Sequence, residues 1–120
     1  MFDYTNSEVK KYIDVDDGLQ RIRGNKKLYT RMLKMVLVSE EFGKLRAALD
    51  ADDYDNGEKA AHSIKGITGN LSLPALFDNS VELMQQLKSG PADPKTVADF
   101  WDNWENTEKY INEVIIALSE

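Results

Sequence analysis

Apolar residues recur at helical spacing along almost the whole chain, and no segment alternates with the period of two expected of a strand. Two short helical patterns come first, the second of them ending at Gly24. Longer patterns follow over residues 25–53, 53–73, 74–90 and 93–120. Gly43 has a low helix propensity and can divide the pattern over residues 25–53 into two helices. The pattern predicts an all-α protein, an antiparallel four-helix bundle with one or two short N-terminal helices covering one end.

Polar and aromatic positions refine these elements. Ser72 is expected to act as the N-cap of a helix that has Pro74 in its first turn. Large apolar side chains at helical spacing are expected to pack in the core, among them Trp101, Trp104, Met32, Met35 and Met84.

Length and composition favour one domain, residues 1–120, which can bury a core without the disulfides that a cysteine-free chain lacks. A net charge of −6 disfavours non-specific binding to nucleic acid or to an anionic membrane. There is no apolar run of about 20 residues and no signal-peptide pattern, so a cytoplasmic protein is expected. Met1 and the immediate helical start favour a free-standing protein, although a module of a larger kinase stays open.

The only histidine, His62, lies on the helix predicted to begin near Asp53. This helix has a core-facing stripe, formed by Ala60, Ile64, Ile67 and Leu71. Because an α-helix turns by about 100° per residue, His62 lies about 160° from Ile64 and points away from the core. The same outward face collects Glu58, Gly66, Gly69 and, if the helix continues, Leu73.

The two glycines on this face follow the histidine by one and two helical turns. Glycine inside a helix costs about 1 kcal/mol relative to alanine, so a compensating gain is expected. A bare backbone beside His62 would let a partner approach closely. The alternative is an ordinary solvated histidine beside glycines that mark fraying or a kink.

These residues resemble the histidine-containing phosphotransfer (HPt) domains of two-component phosphorelays. The family pattern of alanine, histidine, two residues, lysine and glycine is matched by Ala61, His62, Lys65 and Gly66, with the usual small residue at Gly69. Asp53 and Tyr54 are similar to the acidic and aromatic pair that opens the active helix, and residues 12–33 are similar to the family's lead-in. The resemblance therefore covers essentially the whole chain. Ser72 departs from it, because many members have glycine there.

The resemblance implies a phosphoryl carrier without kinase activity of its own. His62 would accept a phosphoryl group from a receiver-domain aspartate, for example of a hybrid histidine kinase, and pass it to the receiver of a downstream regulator. Lys65 would screen the phosphorylated state, and the receiver would dock on Glu58, Gly66, Gly69 and Leu73. No cofactor or resident metal is implied, since the receiver supplies magnesium. A monomer is expected, because transfer needs no symmetric partner.

Two alternatives stay open: a non-catalytic helical interaction or adaptor bundle, and the phosphoacceptor region of a histidine kinase. The kinase region normally has an acidic residue where Ser63 follows His62. A calcium loop over residues 52–63 fails on register, because Tyr54 falls at the third ligand position. One histidine and no cysteine cannot supply a zinc or di-metal site.

Overall fold

The computed structural model describes residues 1–120 as seven helices without a strand, which confirms the all-α prediction. In chain order the helices are α1 (Ser7–Lys10), α2 (Val15–Gln20), α3 (Lys26–Leu37), α4 (Glu41–Asp50), α5 (Tyr54–Leu71), α6 (Pro74–Ser89) and α7 (Pro94–Ser119). At the start of five of them a side-chain oxygen of the N-cap residue accepts a hydrogen bond from a backbone N–H; these residues are Asn6, Asp14, Asn25, Asp53 and Asp93. Such caps stabilise each helix start by about 1 kcal/mol.

The long N-terminal pattern divides into α3 and α4, but not at the expected place. Gly43 lies inside α4, and the break falls at residues 38–40. Here the Ser39 hydroxyl accepts a hydrogen bond from the backbone N–H of Glu41 at 3.2 Å. A serine side chain that bonds the nearby backbone competes with the helical hydrogen bonds, and this local competition outweighs the propensity of glycine.

Helices α4 to α7 pack so that contacting neighbours run in opposite directions. Between α5 and α6, Gly69 lies beside Phe77 near the connecting turn, and Gly57 lies beside Leu87 at the far end. Helices α6 and α7 are also antiparallel, because Gln86 contacts Thr96 and Asn79 contacts Asn103. Helices α4 and α7 are antiparallel too, with the contacting pairs Phe42 with Trp104 and Arg46 with Trp101. These contacts surround one core to which all the long helices contribute.

The large side chains pack largely as expected. Trp104 stacks on Phe42 with ring centroids 3.8 Å apart, and Trp101 also packs against the core. Met84 is buried and Met32 is half-buried. The prediction is wrong for Met35, which is 64% exposed. About 160° of helical rotation separates Met35 from the buried Leu33, so the side chain points outward.

The short N-terminal helices pack against the turn between α5 and α6. The backbone N–H of Asp14 donates to the carbonyl of Ser72 at 2.9 Å, and the Ser72 hydroxyl donates to the Asp17 carboxylate. This bond and a second from Arg21 lower the pKa of Asp17. The expected role of Ser72 was wrong. It is the C-cap of α5, with φ of 59°, and the N-cap of α6 is Leu73.

Tyr29 of α3 binds the turn between α5 and α6 from the core side. Its hydroxyl donates to the carbonyl of Leu71 at 2.8 Å, and the whole side chain is buried. Gly18 makes room for the ring, because a Cβ there would lie 2.6 Å from it. Burial raises the pKa of the Tyr29 hydroxyl, and the charges of Asp14 and Asp17 raise it further. The hydroxyl therefore remains a hydrogen-bond donor at neutral pH.

We expect Tyr29→Phe to lower the free energy of unfolding by about 1–3 kcal/mol, because the carbonyl of Leu71 loses its buried donor. Urea unfolding at neutral pH measures the change. Tyr54→Phe at the exposed start of α5 is the matched control, and its effect should stay within about 0.5 kcal/mol. Equal losses in the two variants would contradict a specific role for this hydrogen bond.

Candidate functional site

One face of α5 is buried against the neighbouring helices. Its buried residues are Gly57, Ala60, Ala61, Ile64, Thr68 and Leu71. The hydroxyl of Thr68 is satisfied within the helix, since it donates to the carbonyl of Ile64 at 2.8 Å. Ile67, predicted to belong to this stripe, lies half-buried at its edge. The burial of this face sets the rotation of α5 about its axis and so decides which side chains reach solvent.

His62 lies on the opposite face and is exposed. Its imidazole makes no hydrogen bond and no ion pair within the protein. An exposed imidazole can offer an unprotonated ring nitrogen near neutral pH, so it can act as a nucleophile without a dedicated base. The histidine therefore stands at an open surface and not in a pocket.

Two charged side chains predicted for the site flank the histidine on α5. Lys65, one turn after it, is half-buried and has no carboxylate within 4.0 Å. Glu58, one turn before it, is also half-buried and makes no hydrogen bond to the imidazole. The Lys65 ammonium is thus free to meet negative charge that arrives beside His62.

The two outward glycines differ. Gly66 is exposed, and a Cβ added there would meet nothing within 4 Å. A Cβ at Gly69 would lie 3.1 and 3.3 Å from ring carbons of Phe77. The prediction of a bare strip at both positions is therefore wrong for Gly69, which serves the close packing of α5 on α6. The bare backbone beside His62 belongs to Gly66.

Leu73 also lies elsewhere than predicted. Helix α5 ends at Leu71, and Ser72 takes a left-handed conformation that turns the chain inward. The side chain of Leu73 is completely buried, with 0% exposed. It therefore cannot contribute to a docking surface, because the helical register that placed it beside Gly69 stops two residues earlier.

The sequence patterns did not reveal a groove between α3 and α5. Met32, Met35 and Val36 line it from α3, and Ile67 and Leu71 line it from α5. Only the packing of the two helices creates this groove. The spacing of Met32 and Met35, which places two large apolar side chains beside each other on α3, was the signal that could have indicated it, since a contiguous exposed apolar patch often marks an interaction surface.

No group of three histidine, aspartate or glutamate side chains converges in a way that could hold a metal ion. None of the helices combines the length and the apolar character needed to cross a membrane.

A family model described as "Hpt domain" matches residues 35–119. The match spans well over half of the chain and includes α4 to α7 with the segment around His62. It leaves out α1, α2 and most of α3. No curated protein and no solved structure matches the chain significantly.

Substitution by alanine should change stability differently at the two glycines. Gly66→Ala should raise the free energy of unfolding by about 0.5–1 kcal/mol, because alanine favours a helix and the site is open. Gly69→Ala should give no such gain, since Phe77 must move to accept the methyl group. Urea unfolding of both variants measures the difference. Equal gains would contradict the packing role of Gly69.

Proposed function

The chain belongs to the Hpt domain family, and from this premise we propose that it is a phosphorelay intermediate that carries a phosphoryl group on His62 between receiver-domain aspartates. Hpt domains are phosphocarriers of two-component signalling that interact with response-regulator receiver domains. The observation that supports this role here is an exposed imidazole beside the bare backbone of Gly66, opposite the buried face of α5. A second protein can approach such a surface closely.

The transfer is a substitution at phosphorus. The unprotonated ring nitrogen of His62 forms the N–P bond while the P–O bond to the donor aspartate breaks, and the carboxylate leaves with the electron pair. The ring is then a cation, and its other N–H releases the proton to solvent and takes one back before the group is passed on. Passing the group onward reverses these steps on a second aspartate. No ATP is consumed, since the energy is already stored in the aspartyl phosphate.

Charge stabilisation is divided between the two proteins. We assign the magnesium ion to the receiver, where it would meet the developing charge on the phosphoryl oxygens, and no cofactor to this chain. Lys65 would screen the phosphohistidine, because its ammonium has no competing carboxylate partner. Glu58 and Gly66 would lie at the contact with the receiver. The protein is expected to act as a monomer in the cytoplasm.

His62→Gln should abolish phosphorylation, because the glutamine amide cannot replace the imidazole nucleophile. The wild-type protein, incubated with a receiver phosphorylated by acetyl phosphate and Mg²⁺, should take up phosphate that is acid-labile and alkali-stable. Radiolabel transfer and intact mass measure the uptake. Circular dichroism of the variant should match the wild type, since the side chain is exposed. Labelling that survives in His62→Gln would refute the site, and a wild-type protein that takes up no phosphate would favour the adaptor alternative.

Gly66→Arg should lower kcat/KM for transfer from a receiver by at least about tenfold, the equivalent of 1.4 kcal/mol, because the new side chain occupies the approach to His62. Gly43→Arg is the matched control. Gly43 is likewise an exposed helical glycine with nothing within 4 Å of an added Cβ, but it lies on α4. Rapid-quench kinetics of both variants measure the effect. Wild-type rates in Gly66→Arg would contradict the need for a bare backbone.

A further inference from the structure

Helix α3 presents two parallel rows of side chains to solvent, one basic and one apolar. The basic row is here called the basic ridge, and its members are the exposed residues Lys27, Arg31 and Lys34. The apolar row has the same spacing of four and three residues and consists of Leu28, Met32 and Met35. Residues at this spacing lie above one another on a helix, so each row follows the helix axis. The outer surface of α3 is therefore amphipathic.

The basic ridge has no acidic partner within the protein. No acidic residue occurs between Gly18 and Ser39, and none of the three cations has a carboxylate oxygen within 4.0 Å. Elsewhere exposed cations do form ion pairs, as Lys95 does with Asp99 at 2.7 Å. The charge of the basic ridge is therefore available to carboxylates of another molecule.

The apolar row of α3 continues into the groove between α3 and α5. This groove has a volume of about 330 Å³, and its apolar lining consists of Met32, Met35, Val36, Ile67 and Leu71. Met35 is 64% exposed, so the groove is open to solvent along its α3 side. Methionine side chains are flexible and polarizable, and they adapt to apolar groups of different shapes. The groove can thus receive the apolar side chains of a partner.

The groove faces a different side of α5 than His62. Ile67 and Leu71 follow His62 by five and nine residues, which corresponds to about 140° and 180° of rotation around the helix. The exposed Asn70, at about 80°, lies between the two surfaces. A ligand in the groove therefore approaches α5 from another side than a protein that contacts the imidazole.

The chemistry of this surface indicates which class of partner fits it. Apolar side chains would fill the groove, and carboxylates would pair with the basic ridge along one border. From Lys27 to Lys34 the ridge is about 10.5 Å long, which matches about two turns of a helix. An amphipathic helix with acidic residues beside its apolar stripe supplies both features, because the stripe can enter a groove while the charged residues stay at the surface.

Two other occupants fit less well. A second copy in a two-fold contact would present the same concave groove, and two grooves cannot fill each other. An anionic membrane is a broad surface without a ridge to enter the groove, and the net charge of −6 opposes its approach. The acidic amphipathic helix is the occupant that matches both the shape and the charge.

We propose that the groove between α3 and α5, with the basic ridge beside it, is a second docking site that binds an acidic amphipathic helix of another protein. This inference goes beyond the proposed function, because the binding does not involve His62 and leaves its imidazole accessible. A protein bound there would hold the carrier nearby while a receiver reaches His62 from another side. Such a tether raises the effective concentration of the carrier.

A synthetic helix tests the binding directly. The probe is an alanine-based peptide of about 20 residues, with leucines in one stripe and glutamates along one border of it. The control peptide has the same composition in an order that forms no apolar stripe. Fluorescence anisotropy with the wild-type protein should show saturable binding of the first peptide only. Equal binding of both peptides, or no binding at about 1 mM, would overturn the inference.

Two double charge reversals that change the net charge equally test the basic ridge. Lys27→Glu with Arg31→Glu should raise the Kd of the peptide about tenfold or more in about 50 mM salt. Lys88→Glu with Lys109→Glu, which alters exposed cations on α6 and α7, should raise it less than about twofold. Equal losses in the two double variants would overturn the inference.

A matched pair of exposed apolar residues tests the groove. Met35→Gln should raise the Kd of the peptide severalfold, because the side chain lines the groove. Ile116→Gln is the control, since Ile116 is 59% exposed, similar to the 64% of Met35, but lies on α7. Its Kd should equal that of the wild type. The same Kd in both variants would contradict binding in the groove.

Diethyl pyrocarbonate, which acylates unprotonated imidazole, tests whether His62 stays accessible. Its reaction with this only histidine should keep the rate of the free protein within about twofold when the peptide saturates the protein. Protection by more than about fivefold would overturn the separation of the two surfaces. The measurement needs no receiver. A wild type that phosphorylated receivers fail to label would therefore contradict the proposed function alone.

The other two occupants have outcomes of their own. Dimerisation of the wild type in sedimentation velocity that Met35→Gln abolishes would overturn the inference in favour of a second copy. Binding to vesicles with about one quarter phosphatidylserine that Lys27→Glu with Arg31→Glu abolishes would overturn it in favour of a membrane surface.

Discussion

The structure of the site depends on the burial of one face of α5. Small residues such as Gly57, Ala60 and Ala61 allow the neighbouring helices to pack closely, and Ile64 and Leu71 complete the apolar contact. A helix buried on one side cannot rotate without exposing that side. The direction of the imidazole is therefore a consequence of core packing and needs no hydrogen bond to the imidazole itself. The reactive group stays free while its helix is held in place.

The end of α5 is determined by contacts from the N-terminal part of the chain. Ser72 adopts a left-handed conformation that glycine adopts more easily, and it stands where many members of the family have glycine. In this chain the hydrogen bond to Asp17 and the backbone bond from Asp14 hold the serine in place. Tyr29 satisfies the adjoining carbonyl from the core side. Residues outside the matched family segment thus shape the turn that follows the active helix.

Charge is distributed unevenly over the molecule. The acidic α7 and the cationic α3 lie next to each other, and the exposed cations Arg23, Lys26, Lys27, Arg31 and Lys34 have no carboxylate oxygen within 4.0 Å. Such an arrangement gives an acidic protein a local positive surface, which can orient a partner before contact.

Periodicity alone predicted the helices, the outward direction of His62 and the core stripe beneath it, because a regular helix relates every side chain to the buried ones by a fixed angle. Predictions from periodicity failed where the regular helix ends. The inward direction of Leu73 depends on the left-handed conformation of Ser72. The contact of Gly69 with Phe77 and the groove between α3 and α5 depend on how closely neighbouring helices pack. Those contacts join residues distant in sequence, so only the tertiary structure could decide them.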